Sequence, residues 1–182
     1  MVWLIVGIVA AVLLIIGIVM YNGLVRLQNQ IDNAWAQIDV QLKRRFDLIP
    51  NLIETVKGYA KHEKGVLEEC TKARTAFMGA SSVKDKAQAE NMLEGTLKTL
   101  FAVSENYPKL QANENFLQLQ EELSGTESKI AYARQFYNDN VLELNNKVQQ
   151  FPSNVMANML GFKVRDFFKT EEAEKKAVKV EF

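Results

Sequence analysis

Residues 2–20 read VWLIVGIVAAVLLIIGIVM and contain no charged side chain. At 1.5 Å of rise per residue, a helix of this length spans about 28 Å, which matches the hydrocarbon core of a bilayer. Because hydrocarbon offers no water to backbone N–H and C=O groups, a continuous helix is the expected conformation there. Trp3 and Tyr21 lie at the two ends, where interfacial aromatic residues hold membrane helices. The sequence therefore predicts a transmembrane anchor bounded by Val2 and Trp3 at one end and by Met20 and Tyr21 at the other.

A cleaved secretory signal is the alternative interpretation of this stretch. Such a signal has a basic region, an apolar run of about 7 to 15 residues and small residues at the cleavage site. This chain has no Lys or Arg before Arg26, its apolar run is longer, and residues 20–23 (MYNG) make a poor cleavage site. A retained anchor is therefore favoured.

The positions of the basic residues bear on the orientation of the anchor. Lys and Arg accumulate on the cytosolic flank of membrane helices. Arg26 lies close to the C-terminal end of the apolar stretch, with Lys43, Arg44 and Arg45 farther along, whereas no basic residue precedes the stretch. This pattern favours an N-terminus outside and the larger domain in the cytosol.

Composition limits the chemistry of the rest of the chain. After the anchor, about 160 residues remain, which is the size of one domain with a substantial core. The 22 Lys and Arg residues balance 22 Asp and Glu residues, so no net field favours nucleic acid. A single cysteine (Cys70) and a single histidine (His62) exclude an intramolecular disulfide and the usual structural zinc site. We expect no nucleic-acid partner, no metal and no cofactor.

Apolar residues recur every three or four positions through most of the remaining sequence, which is typical of helices with one buried face. We predict helices over residues 23–48, over a second stretch that ends at Gly79, and over residues 84–106 and 113–150. Pro50 separates the first two, and both a hairpin and a kink are compatible with it. The hairpin is favoured, because a helix continuing to residue 79 would be unusually long for a globular domain.

The predicted fourth helix has the clearest pattern. Large apolar residues recur every seven positions in a coiled-coil-like stripe: Phe116, Leu123, Ile130, Tyr137 and Leu144. Four amphipathic helices joined by short loops bury one another most economically as an antiparallel bundle. The predicted fold is all-α, with an anchor over residues 1–21, a four-helix bundle over 22–150 and a C-terminal apolar segment and charged tail over 151–182.

Polar residues interrupt this stripe three positions before three of its members, and a helix count places others at a similar height. The resulting candidate buried polar layer comprises Glu63, Lys98, Gln120, Glu127 and Arg134. Buried polar groups fix helix register in some bundles, and this interpretation is favoured. A metal or ligand site is the alternative, although di-iron bundles need two Glu-x-x-His motifs and this chain has one histidine. No motif predicts a catalytic residue.

The segment after residue 150 is rich in apolar residues but too short to form its own core. Pro152 begins a predicted short helix, and Gly161 is placed to end it. We expect this candidate interaction segment to dock on its own bundle, on the membrane interface or on a neighbouring copy. Beyond it, residues 170–176 have the pattern of a charged helix and residues 178–182 alternate like a strand. The segment's candidate residues are Phe151, Pro152, Val155, Met156, Met159, Leu160, Phe162, Phe167 and Phe168.

Several stretches give the chain a resemblance to the LemA family of small bacterial membrane proteins. They are Tyr21-Asn22 after the anchor, Ala34-Trp35, RRFDLIPNLIETVKGYAKHE (44–63), ANENFLQLQEEL (112–123), and the segment from FPSN (151–154) to Gly161-Phe162. The resemblance implies a helical bundle on an N-terminal transmembrane helix in the bacterial inner (cytoplasmic) membrane. It implies no enzymatic activity, and it links relatives to envelope functions that include magnetosome membranes. Phe46 departs from the family pattern, which commonly has Asn or another polar residue there.

The leading hypothesis is a non-enzymatic scaffold or interaction protein of the bacterial envelope that self-associates and organises or shapes membrane. Its expected partners are the lipid bilayer, other copies of the chain and other membrane proteins. A ligand- or metal-binding bundle that acts as a sensor or enzyme through buried carboxylates is the alternative.

Overall fold

The computed structural model describes residues 1–60 and 62–169, and all regular structure in this part of the chain is α-helix. The predicted all-α fold with a long apolar N-terminal helix is confirmed. The chain divides into two compact units: unit 1 contains Met1–Ala36 and Ala133–Phe167, and unit 2 contains Gln37–Tyr132 and the described residues from Phe168 onward. The helices are α1 (Val2–Tyr59), α2 (Lys64–Gly79), α3 (Val83–Ser104), α4 (Pro108–Gln111), α5 (Glu114–Gln149) and α6 (Ser153–Met159).

Helix α1 continues through Pro50, so the predicted hairpin there is wrong. Proline lacks an N–H and crowds the preceding turn, which costs about 3 kcal/mol inside a helix. The apolar face nevertheless continues across it, since Phe46, Ile49 and Leu52 are all buried. Burial of each large apolar side chain contributes about 1.5–3 kcal/mol, which offsets the cost of the proline. The chain turns only after Tyr59, ten residues later than Ile49.

Unit 2 contains four long helical segments, residues 37–59 of α1, α2, α3 and residues 114–132 of α5, together with the short α4. The first two meet where the Phe46 and Phe77 rings stack with centroids 4.2 Å apart. Helix α3 begins after Ser82, whose side-chain oxygen accepts a hydrogen bond from the Asp85 N–H at 3.1 Å. This cap satisfies one of the free N–H groups at the start of α3.

The directions of these segments follow from contacts at both ends. Lys86, at the start of α3, pairs with Asp39 of α1, and Glu90, one turn later on α3, pairs with Arg45 farther along α1, so α3 runs parallel to α1. Helix α5 runs the opposite way, because Asn113, just before its start, donates a 3.0 Å hydrogen bond to the Tyr59 hydroxyl at the end of α1. Helix α2 follows the turn after Tyr59 and is antiparallel to α1. Unit 2 is an antiparallel four-helix arrangement.

Unit 1 packs the part of α1 from about Gly17 to Ala36 with residues 133–149 of α5, α6 and the following extended segment. The Trp35 and Tyr137 rings lie with centroids 5.9 Å apart, and Leu24, Leu27 and Ile31 are buried. Residues 162–167, here called the strap, are held in part by the side chain of Asn145. Its amide donates to the Arg165 carbonyl at 3.0 Å, and its carbonyl accepts from the Arg165 N–H at 2.8 Å.

The apolar stripe on α5 is confirmed, since all five residues of the seven-residue repeat are buried. Its second row differs from the predicted one. The buried or half-buried row lies three positions after the first four repeat residues, at Leu119, Thr126, Ala133 and Asn140, and Val141, three positions before Leu144, is also buried. The patterns predicted for residues 170–176 and 178–182 lie outside the described residues.

Candidate functional site

The apolar residues of the anchor are exposed rather than packed into either unit. Trp3 is 87% exposed, and every residue from 1 to 16 is exposed. Within the described residues, α1 contains the one stretch whose length and composition suit a membrane crossing. Apolar surface of this extent is expected to contact lipid or another apolar partner. The predicted boundary residues Val2 and Trp3 are exposed, and Met20 and Tyr21 lie where the packed part of unit 1 begins.

The C-terminal end of the anchor contacts the segment around α6. A Cβ placed on Gly17 would lie 3.1 Å from Cε of Met156, so the absence of a side chain at Gly17 allows this close approach. The Tyr21 and Phe162 rings meet edge to face with centroids 6.5 Å apart. Gly161, at φ +76°, provides the left-handed backbone conformation between α6 and Phe162. The sequence-predicted short helix and its glycine stop are both present.

Some residues of the candidate interaction segment are buried and others are exposed. Ala157 is completely buried, and Met156, Phe162 and Phe167 are half-buried. Phe168, which belongs to unit 2, is buried. The exposed members are Phe151, Pro152, Val155, Met159 and Leu160. Part of the segment therefore docks on its own chain, and one apolar face stays uncovered.

The structure does not bring the five predicted polar-layer residues together. Glu63 accepts a 3.0 Å hydrogen bond from the Tyr107 hydroxyl, which raises the pKa of Tyr107. Lys98 is 67% exposed and pairs with Glu94 on its own helix, and Gln120 is exposed. Because α1 ends at Tyr59 rather than near residue 49, Glu63 is the N-cap residue of α2 and contacts Tyr107, which follows the end of α3. Arg134 is half-buried in unit 1.

A different charged cluster lies in unit 2: its members Arg45 and Glu90 are buried, and its third member, Glu127, is 48% exposed. Arg45 of α1 and Glu90 of α3 form an ion pair with both side chains only 2% exposed. Arg45 also pairs with Glu127 of α5 at 3.5 Å, so one of the predicted layer residues belongs to this cluster. Burial raises the pKa of Glu90, and the Arg45 charge opposes that rise. The cluster joins three helices through one guanidinium, and a guanidinium does not lose its charge in proteins.

Sequence periodicity contained a signal for this cluster. Arg45 lies three residues after Leu42 and four before Ile49, and both of these residues are fully buried. Glu90 lies between the buried residues Ala87 and Leu93 in the same manner. A charge at an apolar-face position of one helix, matched by an opposite charge on another, predicts a buried pair.

The other chemically reactive residues are placed as structural ones. Cys70 is fully buried, and burial raises the pKa of its thiol to about 11, so the reactive thiolate is scarce at neutral pH. His62 is exposed. Among the described residues, no three or more His, Cys, Asp or Glu side chains are grouped so that they could hold a metal ion.

These features define a helical-bundle protein whose first helix carries a segment suited to a membrane. The LemA family model matches residues 34–182, and the chain belongs to the LemA family. Protein LemA of Metamycoplasma hominis is 30% identical over 159 residues, which cover 85% of this chain and 71% of that protein. Magnetosome proteins MamQ 1 and MamQ 2 of Paramagnetospirillum magneticum are each 23% identical over 179 residues, 84% of this chain and 66% of theirs. None of these names states a reaction.

Proposed function

We propose that this protein is a non-enzymatic scaffold, anchored in a membrane by α1, that associates with other copies of itself along the membrane. The continuity of α1 within unit 1 carries the proposal. The helix passes without a break from the exposed residues 2–16 to the buried residues Leu24, Leu27 and Ile31. The anchor therefore continues into the packed domain as one helix and is not joined to it by a flexible linker.

The buried charges support a structural role over a catalytic one. The Arg45, Glu90 and Glu127 cluster pairs its charges with one another, and Arg45 and Glu90 are closed off from solvent. A general acid or base has to reach a substrate proton. The names of the relatives, one a protein LemA and two magnetosome proteins, agree with a role other than catalysis.

Tethering to a membrane supports the proposed self-association. Proteins confined to a membrane meet at a high effective concentration, so weak lateral contacts are sufficient for assembly. Exposed apolar side chains on unit 2 offer such contacts, notably Tyr132, which is 82% exposed, and Met78. Other membrane proteins are further proposed partners, which would bind at the same side chains.

Photo-crosslinking at Tyr132 tests self-association. A photoreactive amino acid replaces Tyr132 in the full chain, and native membranes are irradiated before electrophoresis. We expect bands above the monomer that disappear when the protein is diluted in detergent. An anchor-deficient variant, Ile8→Lys with Leu13→Lys, is the matched control and should lose these bands. A monomer alone from membranes, at this position and with a general lysine crosslinker, would refute self-association.

The proposed location is the bacterial inner membrane, with the N-terminus outside and units 1 and 2 in the cytosol beyond the anchor. Arg26 and the basic residues 43–45 support this orientation. Met78→Cys in a Cys70→Ala background provides an exposed thiol for labelling. Intact cells should protect this thiol from a membrane-impermeant reagent, and lysed cells should expose it. Labelling in intact cells would reverse the orientation.

A further inference from the structure

Large apolar side chains stay exposed on and around α6 although its other side is packed. Phe151 is 82% exposed and Met159 is 78% exposed, and Val155 and Leu160 are each close to half exposed. Ala157 on the same short helix is completely buried, so α6 has a fixed inner side and a fixed outer side. An outer side of this composition is unfavourable in water.

Contacts along α1 give the depth of this segment relative to the anchor. Met156 of α6 touches Gly17, which lies three residues inside the end of the apolar stretch at Met20. At 1.5 Å per residue, this is about 4.5 Å below the polar end of the anchor. Farther from the membrane, Phe162 meets Tyr21. Arg165 then pairs with Asp32 at 3.4 Å, so the strap leads away from the anchor.

We propose that α6, with Phe151 before it and Leu160 after it, lies in the membrane interface and places its exposed apolar side chains among lipid acyl chains. Interfacial helices bury their apolar face about 5–10 Å into the boundary between headgroups and acyl chains. Gly17, about 4.5 Å below the polar end of the anchor, lies at the shallow edge of this range. The inference rests on the proposed anchoring of α1, and it assigns α6 a ligand of its own, the bilayer.

The level of Met156 favours lipid over a second copy as the occupant. Any surface beside Gly17 is surrounded by the same acyl chains that surround the anchor, so lipid covers it without a further binding event. The polar neighbours agree with this level. Lys147 has its ammonium 3.8 Å from a Cβ placed on Gly23, six residues beyond Gly17 along α1 and about 9 Å farther out, where lipid phosphates lie.

Depth-dependent quenching on the full chain tests the proposal. In a Cys70→Ala background, Met159→Cys is labelled with an environment-sensitive fluorophore and reconstituted in phosphatidylethanolamine and phosphatidylglycerol vesicles at one copy per vesicle or fewer. Met78→Cys is the matched control, because Met78 is 70% exposed but lies on α2 of unit 2. Leu13→Cys in the anchor is the second control.

We expect lipids with a nitroxide high on the acyl chain to quench Met159 at least threefold more than Met78, and aqueous iodide to do the reverse. Iodide quenching of Met159 equal to that of Met78, while Leu13 responds to nitroxide lipid, would overturn the inference and leave the anchoring intact. Protection of Met159 from both quenchers would also overturn it, since protein then covers the site. Failure of Leu13 to respond to nitroxide lipid would instead refute the proposed anchoring and the inference with it.

Discussion

Units 1 and 2 treat their apolar and charged side chains in opposite ways. Unit 2 buries a charged pair, Arg45 with Glu90, in its core. Unit 1 exposes most of its largest apolar residues, both on the anchor and on α6. A folded protein in water rarely exposes large apolar side chains over a continuous surface. The comparison supports the proposal that two solvents shape one chain, with water around unit 2 and lipid around part of unit 1.

The largest expected effect comes from placing charge on the lipid side of this comparison. Ile8→Lys with Leu13→Lys puts two ammonium groups into the anchor, at a cost of about 5–7 kcal/mol for insertion. We expect the membrane fraction that resists carbonate extraction to fall nearly to zero. Val40→Lys with Met78→Lys adds the same charge at exposed positions of unit 2 and should leave that fraction unchanged. Equal retention of both double variants would end the two-solvent interpretation.

A second test breaks the buried charge of unit 2. Arg45→Met leaves Glu90 buried without its cation and should lower the free energy of unfolding by about 3–5 kcal/mol. Arg45→Met with Glu90→Leu removes both charges and should recover most of that loss. Lys98→Met is the control, because Lys98 pairs with Glu94 at an exposed position, where a pair contributes about 1 kcal/mol or less. Urea denaturation in detergent measures all three variants.

The pH dependence of the stability of Arg45→Met tests whether Glu90 causes the loss of stability. Burial already raises the pKa of Glu90 above its ordinary 4.5, Glu94 and Glu127 add to this rise, and Arg45 opposes it. Without Arg45, the folded protein binds the Glu90 proton more tightly than the unfolded chain does. Stability then falls as the pH rises above 4.5, because the unfolded state releases the proton first.

Arg45→Met should therefore be destabilised more, relative to the unmodified protein, at about pH 7 than at about pH 4. Urea denaturation at the two pH values checks this difference. An equal loss at both would mean that Glu90 does not carry the penalty.

The smallest effect is expected at the strap of unit 1. Asn145→Ala removes two hydrogen bonds to the Arg165 backbone and should cost about 1 kcal/mol, since both groups are partly open to water. Hydrogen exchange at the Arg165 amide should accelerate at the same time. Asn158→Ala, at an exposed position on α6, is the control and should change neither quantity. Unchanged exchange in Asn145→Ala would show that the strap is held by its other contacts.

Much of the fold could be predicted from local spacing. The seven-residue repeat from Phe116 to Leu144 predicted a long helix, and all five of its residues are buried. Pro50 shows where a local rule fails, because the apolar face on both sides of it outweighs its missing hydrogen bond. The predicted second row on α5, at residues 120, 127 and 134, lies one position later in the sequence than the row that packs, at residues 119, 126 and 133. Leu119 and Ala133 belong to the row that packs, and their apolar character was the available signal.

The candidate sites were harder to predict because they depend on which helices meet. The length and lack of charge of residues 2–20 were sufficient to predict an anchor. The polar layer required a helix register, and the register required the position of the first turn. Because the chain turns after Tyr59 and not at Pro50, Glu63 contacts Tyr107 instead of the other predicted members. The contact of Met156 with Gly17 joins positions 139 residues apart, and no local pattern contains it.

Helix α1 continues without a break from the apolar stretch into the buried part of unit 1, and this continuity has a mechanical consequence. A membrane helix responds to a thinner or thicker bilayer by changing its tilt. Because the anchor and the buried residues Leu24 and Leu27 are successive turns of one helix, a change in tilt acts directly on the packing of unit 1. For a protein anchored as proposed, we expect bilayer thickness to act on the interior of unit 1 without an intervening hinge.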